Sequence, residues 1–106
     1  MSGYRKCFKM KLFDGAIDEY RKRHDEIWPE LVDLLKGSGV SEYSIFLDEK
    51  ENTLLGILKY DNAEALDMLP QQNIMKKWWD HMHTLMETNP DHSPIETSLT
   101  EIFYLP

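Results

Sequence analysis

The sequence predicts an α+β domain in which one antiparallel sheet is covered by helices on one face. Segments in which apolar residues alternate are separated by segments in which they recur every three or four positions. The first pattern is typical of strands and the second of helices. The 106 residues, 42% of them apolar, suffice for one domain with a substantial core, so we expect residues 1–106 to form a single domain.

The first strand and the first two helices follow from the spacing of apolar residues. Residues 5–13 alternate, with Phe8, Met10 and Leu12 on one face, which predicts a strand with one buried face. Helical spacing begins at Ala16 and is interrupted at Pro29. Because proline has no N–H and clashes with the preceding turn, we expect two helices here, at 16–26 and 29–37.

The rest of the chain supplies three more strands and two more helices. We expect strands at 40–48 and 53–60 joined by a polar turn at 49–52, helices at 62–69 and 71–86, a loop at 87–97 and a last strand at 98–105. Tyr43, Ile45 and Leu47 share one face of the second strand. The resulting order, β-α-β-β-α-β, is the ferredoxin-like pattern.

The predicted sheet is apolar on both faces, although helices cover only one. Residues 53–60 are apolar on both sides, and residues 102–105 place Phe103 and Leu105 opposite Ile102 and Tyr104. A second apolar face needs its own cover. The simplest cover is a second copy of the chain, so we expect a twofold homodimer joined through its sheets.

Charge and cysteine content narrow the class of protein. A net charge of −7 disfavours nucleic acid and anionic membranes as partners. Cys7 is the single cysteine, so no disulfide within the chain is possible. The first residues alternate charged and apolar side chains instead of forming a signal peptide, and no apolar run reaches the roughly 20 residues of a membrane helix. We expect a cytoplasmic protein.

An aromatic and polar stripe stands where a helix normally presents aliphatic residues to a core. Tyr20, His24 and Trp28 follow one another at intervals of four. A lone inward histidine is more often a structural core residue, but histidine is also the side chain whose pKa is nearest neutral pH. With Tyr43 on the adjacent strand, these residues predict a small pocket suited to a neutral polyhydroxyl ligand and to proton transfer.

The other candidate residues are two indoles and three histidines. Trp78 and Trp79 lie about 100° apart on a helix, so one can pack in the core while the other lines a cavity. His81 and His83 point in different directions on a helix and cannot chelate one ion. We therefore expect surface histidines at positions 81, 83 and 92, no metal and no cofactor.

Several segments together resemble the L-rhamnose mutarotase family. They are EYRKRHDEIWPEL (19–31), YSIFLD (43–48), KKWWDHM (76–82), NPDHSP (89–94) and EIFYLP (101–106). The likeness runs from about Arg5 to Pro106 and implies a ferredoxin-like fold that dimerises through its sheets, a dimeric α/β barrel. It implies that His24 is the proton donor and that the sugar is bound by Tyr20, Tyr43, Trp78 and Trp79.

The reaction implied by the resemblance is the exchange of the α and β anomers of L-rhamnose, an isomerase activity without a cofactor. His24 gives a proton to the ring oxygen, and Tyr43 or a water molecule accepts the proton of the anomeric hydroxyl. Three alternatives stay open. The chain acts on another 6-deoxy sugar such as L-fucose, or it is a cofactor-free monooxygenase of the dimeric α/β-barrel type, or it is a sugar-binding module without activity.

Overall fold

The computed structural model describes residues 3–106, and it contains one four-stranded antiparallel sheet flanked by helices. The strands are β1 Tyr4–Lys11, β2 Val40–Asp48, β3 Thr53–Tyr60 and β4 Thr97–Leu99. They lie in the order β2-β3-β1-β4. The α-helices are α1 Ile17–Asp25, α2 Pro29–Gly37, α3 Ala63–Met68 and α4 Asn73–Met82, with short 3₁₀ turns at Leu69–Gln71 and His83–Leu85. The predicted order of elements is confirmed.

The break between α1 and α2 occurs at the predicted proline. Trp28 has an extended backbone (φ −67°, ψ 133°), as expected for a residue before proline, and Pro29 begins α2. The stripe of α1 therefore ends at His24 and does not continue to Trp28. Instead the Trp28 indole packs edge-on against Trp78, with ring centroids 5.1 Å apart.

The core lies between the sheet and the helices. Phe8, Met10 and Leu12 of the first strand segment are buried, as the alternation predicts. They pack in one cluster with Leu31 of α2 and Met82 of α4. Among the described residues, no helix has the length and apolar character that crossing a membrane requires.

A β-bulge in β2 decides which side chains face the helices. Glu42 and Tyr43 both lie opposite the single residue Leu58 of β3, and Glu42 has a positive φ of 48°. Because side chains alternate along a strand, residues 40 and 43 normally face opposite sides. The extra residue lets both Val40 and Tyr43 face the helices.

Gly56 of β3 makes room for an aromatic contact across three strands. It lies between Phe8 of β1 and Ile45 of β2, and a Cβ atom at this position would come within 2.4 Å of the Phe8 ring. The Phe8 ring therefore occupies the space above the glycine. From there it contacts Tyr43 edge-to-face, with ring centroids 6.3 Å apart.

The last predicted strand is wrong in extent. The prediction was a strand at 98–105, whereas β4 covers only Thr97–Leu99 and pairs with residues 7–9 of β1. Beyond it the chain contacts β1 through side chains, because Glu101 pairs with the Arg5 guanidinium and the Tyr104 ring lies 3.8 Å from it. Alternating apolar residues predict an extended chain, but a strand also needs a neighbouring strand with which its backbone forms hydrogen bonds.

The helix predicted at 71–86 is also longer than the observed α4. Regular α-helix ends at Met82, and a 3₁₀ turn occupies His83–Leu85. The loop predicted at 87–97 is confirmed as irregular up to β4. It is closed by a single bridge between Thr88 and Pro94. Its backbone turns back at His92, which has a positive φ of 71°.

Candidate active site

Helix α1 places Tyr20 and His24 on its inner face, one turn apart. The His24 ring lies over the Tyr20 ring, with centroids 4.4 Å apart and planes tilted by 30°. Nδ1 of His24 lies 3.1 Å from the carbonyl oxygen of Tyr20. A carbonyl can only accept, so Nδ1 carries the proton and donates it. In the neutral ring, Nε2 is therefore left with its lone pair.

The surroundings of His24 favour that neutral ring. Burial lowers the pKa of its imidazole below the ordinary 6.5, and this effect exceeds the opposing ones of the Tyr20 carbonyl and the Asp25 charge. At neutral pH the side chain is then an uncharged imidazole with a basic Nε2. Such a group accepts a proton readily and returns it afterwards.

Helix α4 places the two indoles in different surroundings, as their 100° separation predicts. Trp78 is buried, with 6% of its surface exposed, and packs edge-on against His24 at 5.4 Å between ring centroids. It thus forms the wall behind the imidazole. Trp79 is only half-buried and, from the neighbouring side of the helix, lines a cavity between the helices and the sheet.

Tyr43 reaches the same cavity from the sheet. Although 40% of its surface is exposed, the protein atoms packed around its phenol raise its pKa above the ordinary 10, and the Glu96 carboxylate raises it further. Burial also raises the pKa of the Tyr20 phenol. Both phenols are therefore protonated at neutral pH, when each can donate one hydrogen bond and accept others.

One cavity of about 510 Å³ is lined by all five residues that the sequence singled out. They are Tyr20, His24, Tyr43, Trp78 and Trp79. The volume falls within the roughly 300–1,000 Å³ of typical small-molecule pockets. A second space of about 800 Å³ along β2 is lined by four of the five, without Trp79. The five residues come from α1, β2 and α4, which only the folded chain brings together.

The sequence did not single out the polar residues on the rim of this cavity. They are Lys6, Asp67, Asn89, Asp91, Ser93 and Glu96. Lys6 faces the helices because it shares the face of Phe8 and Met10. Asp67 belongs to α3, and the other four belong to the loop before β4. The NPDHSP segment of this loop indicates only a resemblance to a family, and no spacing rule predicts that a loop folds over a distant pocket.

The remaining histidines lie outside this cavity. His81 is exposed as predicted, with its ring near those of Trp28 and Trp78. His83 and His92 stack with ring centroids 3.7 Å apart, and Nδ1 of His92 lies 2.8 Å from Oδ1 of Asp80. His81 and His83 thus have separate neighbours. The stacked pair links the loop to the end of α4.

Comparison with known proteins decides the family. A family model described as L-rhamnose mutarotase matches residues 5–105. The chain belongs to the L-rhamnose mutarotase family. An L-rhamnose mutarotase of Rhizobium etli is 52% identical over 106 residues, which cover 100% of both chains. One from Lachnoclostridium phytofermentans is 48% identical over 101 residues, covering 95% of this chain and 97% of the relative.

Solved structures agree with this family membership. The crystal structure of an L-rhamnose mutarotase from Formosa agariphila superposes with a TM-score of 0.92 at 48% identity, covering 98% of this chain and all of that one. A dimeric ferredoxin-like protein from an uncultured marine organism superposes with a TM-score of 0.61 at 14% identity, covering 96% and 95%. The second likeness shows the ferredoxin-like fold alone.

The lowered pKa of His24 predicts a titration that can be followed by NMR. In protein labelled with ¹⁵N-histidine, we expect the His24 ring to titrate below pH 6.5 and to carry its proton on Nδ1 at pH 7. The unfolded chain binds this proton at a higher pH than the folded one, so the free energy of unfolding should fall as the pH drops below 6.5.

The control for this titration is His24→Gln, in which that part of the pH dependence should disappear. Thermal melts between pH 7 and pH 5 measure it in both proteins. A His24 midpoint above 6.5 would contradict the dominant effect of burial, and a proton on Nε2 with Nδ1 free would contradict the hydrogen bond to the Tyr20 carbonyl.

Proposed function

We propose that this chain interconverts the α and β anomers of L-rhamnose by opening and reclosing the sugar ring. The observation that carries the proposal is the single cavity that holds an imidazole, two phenols and two indoles together. The family and the curated relatives, which are L-rhamnose mutarotases, support the choice of sugar. The activity is that of an isomerase, and its chemistry consists of proton transfers that accompany breaking and re-forming the C1–O5 bond.

Ring opening requires two proton movements. The anomeric hydroxyl loses its proton as the C1–O5 bond breaks, and the ring oxygen gains one, which leaves an open-chain aldehyde. After rotation about the C1–C2 bond, the ring oxygen attacks the other face of C1 and the two protons return. A group that titrates near neutral pH is suited to both directions.

We assign the proton transfer at the sugar to His24. The resemblance implied that His24 starts as a donor to the ring oxygen. The hydrogen bond from Nδ1 to the Tyr20 carbonyl favours the opposite initial role. In the neutral ring Nε2 carries no proton, so His24 first accepts a proton. His24 then takes the anomeric proton on opening and returns it on closing. Tyr43 or a water molecule donates a proton to the ring oxygen on opening and takes it back on closing.

The aromatic residues hold the sugar in this scheme. The flat face of Trp79 suits the C–H face of a pyranose and the methyl group on C5, which need an apolar surface. The phenols of Tyr20 and Tyr43 bind hydroxyl groups.

The single cysteine suits a reducing compartment such as the cytoplasm. We also propose that residues 1–106 work as one domain.

We further propose that the chain is a homodimer that buries the outer faces of its sheets, in the manner of a dimeric α/β barrel. Phe46 and Leu99 point away from the helices and expose 59% and 41% of their surfaces. Ile102, Phe103 and Leu105 are exposed in the segment beyond β4. Monomeric proteins rarely expose contiguous apolar patches of this kind.

The activity is tested by anomer exchange measured with NMR. Wild-type protein should accelerate exchange of L-rhamnose, and His24→Gln should lose a factor of roughly 10²–10⁴ in rate, which is typical of a general acid–base group. Glutamine keeps polarity and approximate volume but does not titrate. Thermal melts establish that the variant is folded.

A folded His24→Gln that exchanges anomers at the wild-type rate contradicts the assignment of His24. The sugar panel separates the alternatives: faster exchange of L-fucose than of L-rhamnose indicates the other substrate, and sugar binding without acceleration indicates a binding module. Consumption of oxygen without any change in anomer ratio indicates a monooxygenase.

The dimer is tested by light scattering coupled to gel filtration. Wild-type protein at micromolar concentration should elute with twice the 12.6 kDa mass of the chain. Phe46→Glu places a charge on the proposed interface and should produce monomers. The matched control is Met68→Glu, because Met68 is 53% exposed on α3, away from the sheet. A wild-type mass of one chain overturns the proposal.

A further inference from the structure

A charged pair stands on the sheet side of the cavity. Lys6 lies on β1, and Glu96 immediately precedes β4, the neighbouring strand. Nζ of Lys6 is 3.3 Å from Oε1 of Glu96. Both residues line the 510 Å³ cavity but not the larger space along β2. Among residues 3–106, Lys6 is the one lysine or arginine that lines this cavity.

The pair is part of the surface that carries Tyr43. The Lys6 ammonium lies 5.2 Å from the centroid of the Phe8 ring, and the Phe8 ring contacts Tyr43. The Glu96 carboxylate is close enough to the Tyr43 phenol to raise its pKa, in addition to the larger effect of burial. Lys6, Glu96 and Tyr43 therefore form one polar wall that faces the aromatic wall of α1 and α4.

This ion pair has little to contribute to stability. The side chains of Lys6 and Glu96 are 35% and 37% exposed, and solvent-accessible pairs of this kind contribute little to folding. The contact between Lys6 and Glu96 uses only part of the hydrogen bonds that the two side chains can form. An ammonium has three N–H donors, and an ionised carboxylate accepts at about four lone-pair positions.

Neighbouring hydroxyl groups of a pyranose match this remaining capacity. Each hydroxyl both donates and accepts, so a carboxylate can accept from two adjacent hydroxyls while the ammonium donates to one of them. Hydrogen bonds with a charged partner are stronger than those between neutral groups. The two indoles and two phenols carry no charge at neutral pH and cannot supply this interaction.

We propose that Lys6 and Glu96 bind two adjacent hydroxyl groups of the sugar and thereby hold its anomeric carbon at His24. The inference rests on the anomer exchange proposed above. His24 approaches the cavity from the helices, whereas the pair approaches from the sheet. The hydroxyls that the pair binds are therefore the ones remote from the anomeric carbon, on C3 and C4.

Anomer exchange by Glu96→Gln and Lys6→Met tests the proposal. With L-rhamnose, each variant should raise KM by roughly 10-fold or more, with a smaller change in kcat. Wild-type protein should prefer L-rhamnose to its 4-deoxy analogue, and Glu96→Gln should lose most of this preference. A merely structural role for the pair does not remove discrimination between these two sugars.

The matched control is Glu19→Gln. Glu19 also pairs with a cation, since its Oε2 lies 2.8 Å from Nε of Arg23, but neither residue lines the cavity. This control should keep the wild-type KM and the wild-type preference. Thermal melts of all variants accompany the kinetics, and Lys6→Gln, which also removes the charge, replaces Lys6→Met if the latter does not fold.

Two results overturn the proposal. One is a wild-type KM and undiminished preference in folded Glu96→Gln and in the folded Lys6 variant. The other is a change in kcat alone, which places the pair in the chemistry instead of in binding. If wild-type protein fails to accelerate exchange, the proposed function fails; sugar affinities measured by NMR titration of the same variants then still decide whether the pair binds hydroxyls.

Discussion

The hydrogen bond between Nδ1 of His24 and the carbonyl of Tyr20 is the interaction on which the site depends. It fixes which nitrogen carries the proton and holds the imidazole over the Tyr20 ring. It is available because the two residues are one helical turn apart in α1. Burial against Trp78 then keeps the ring neutral, so a basic nitrogen remains beside the cavity.

The opposite wall depends on two departures from a regular sheet. The bulge at Glu42 turns Tyr43 toward the helices, and the missing side chain at Gly56 lets Phe8 lie between the strands and support the phenol. Each serves to aim a polar group at the space in front of His24, which is where bulges and strand glycines are often found.

The sequence predicted the fold well because its signals are local. Alternation placed Phe8, Met10 and Leu12 correctly, and Pro29 marked the break between two helices. The last strand was overextended, since pairing with β1 stops at Leu99 and no local pattern reports a missing partner.

The candidate site was predictable only in part. The aromatic and imidazole side chains stood out because they occupy positions that a core normally gives to aliphatic residues. Lys6 and Glu96 did not, since a lysine on a strand and a glutamate in a loop are common on any surface. Their meeting at 3.3 Å depends on which strands are neighbours, a property of the whole fold.

A crystal structure with L-rhamnose bound would test the roles of His24 and of the cavity together. We expect one pyranose in the 510 Å³ cavity. Its anomeric oxygen should lie within about 2.6–3.2 Å of Nε2 of His24, and one face of the ring should lie against Trp79. A sugar bound with its anomeric carbon turned away from His24, or bound outside this cavity, would contradict the role of His24 in proton transfer.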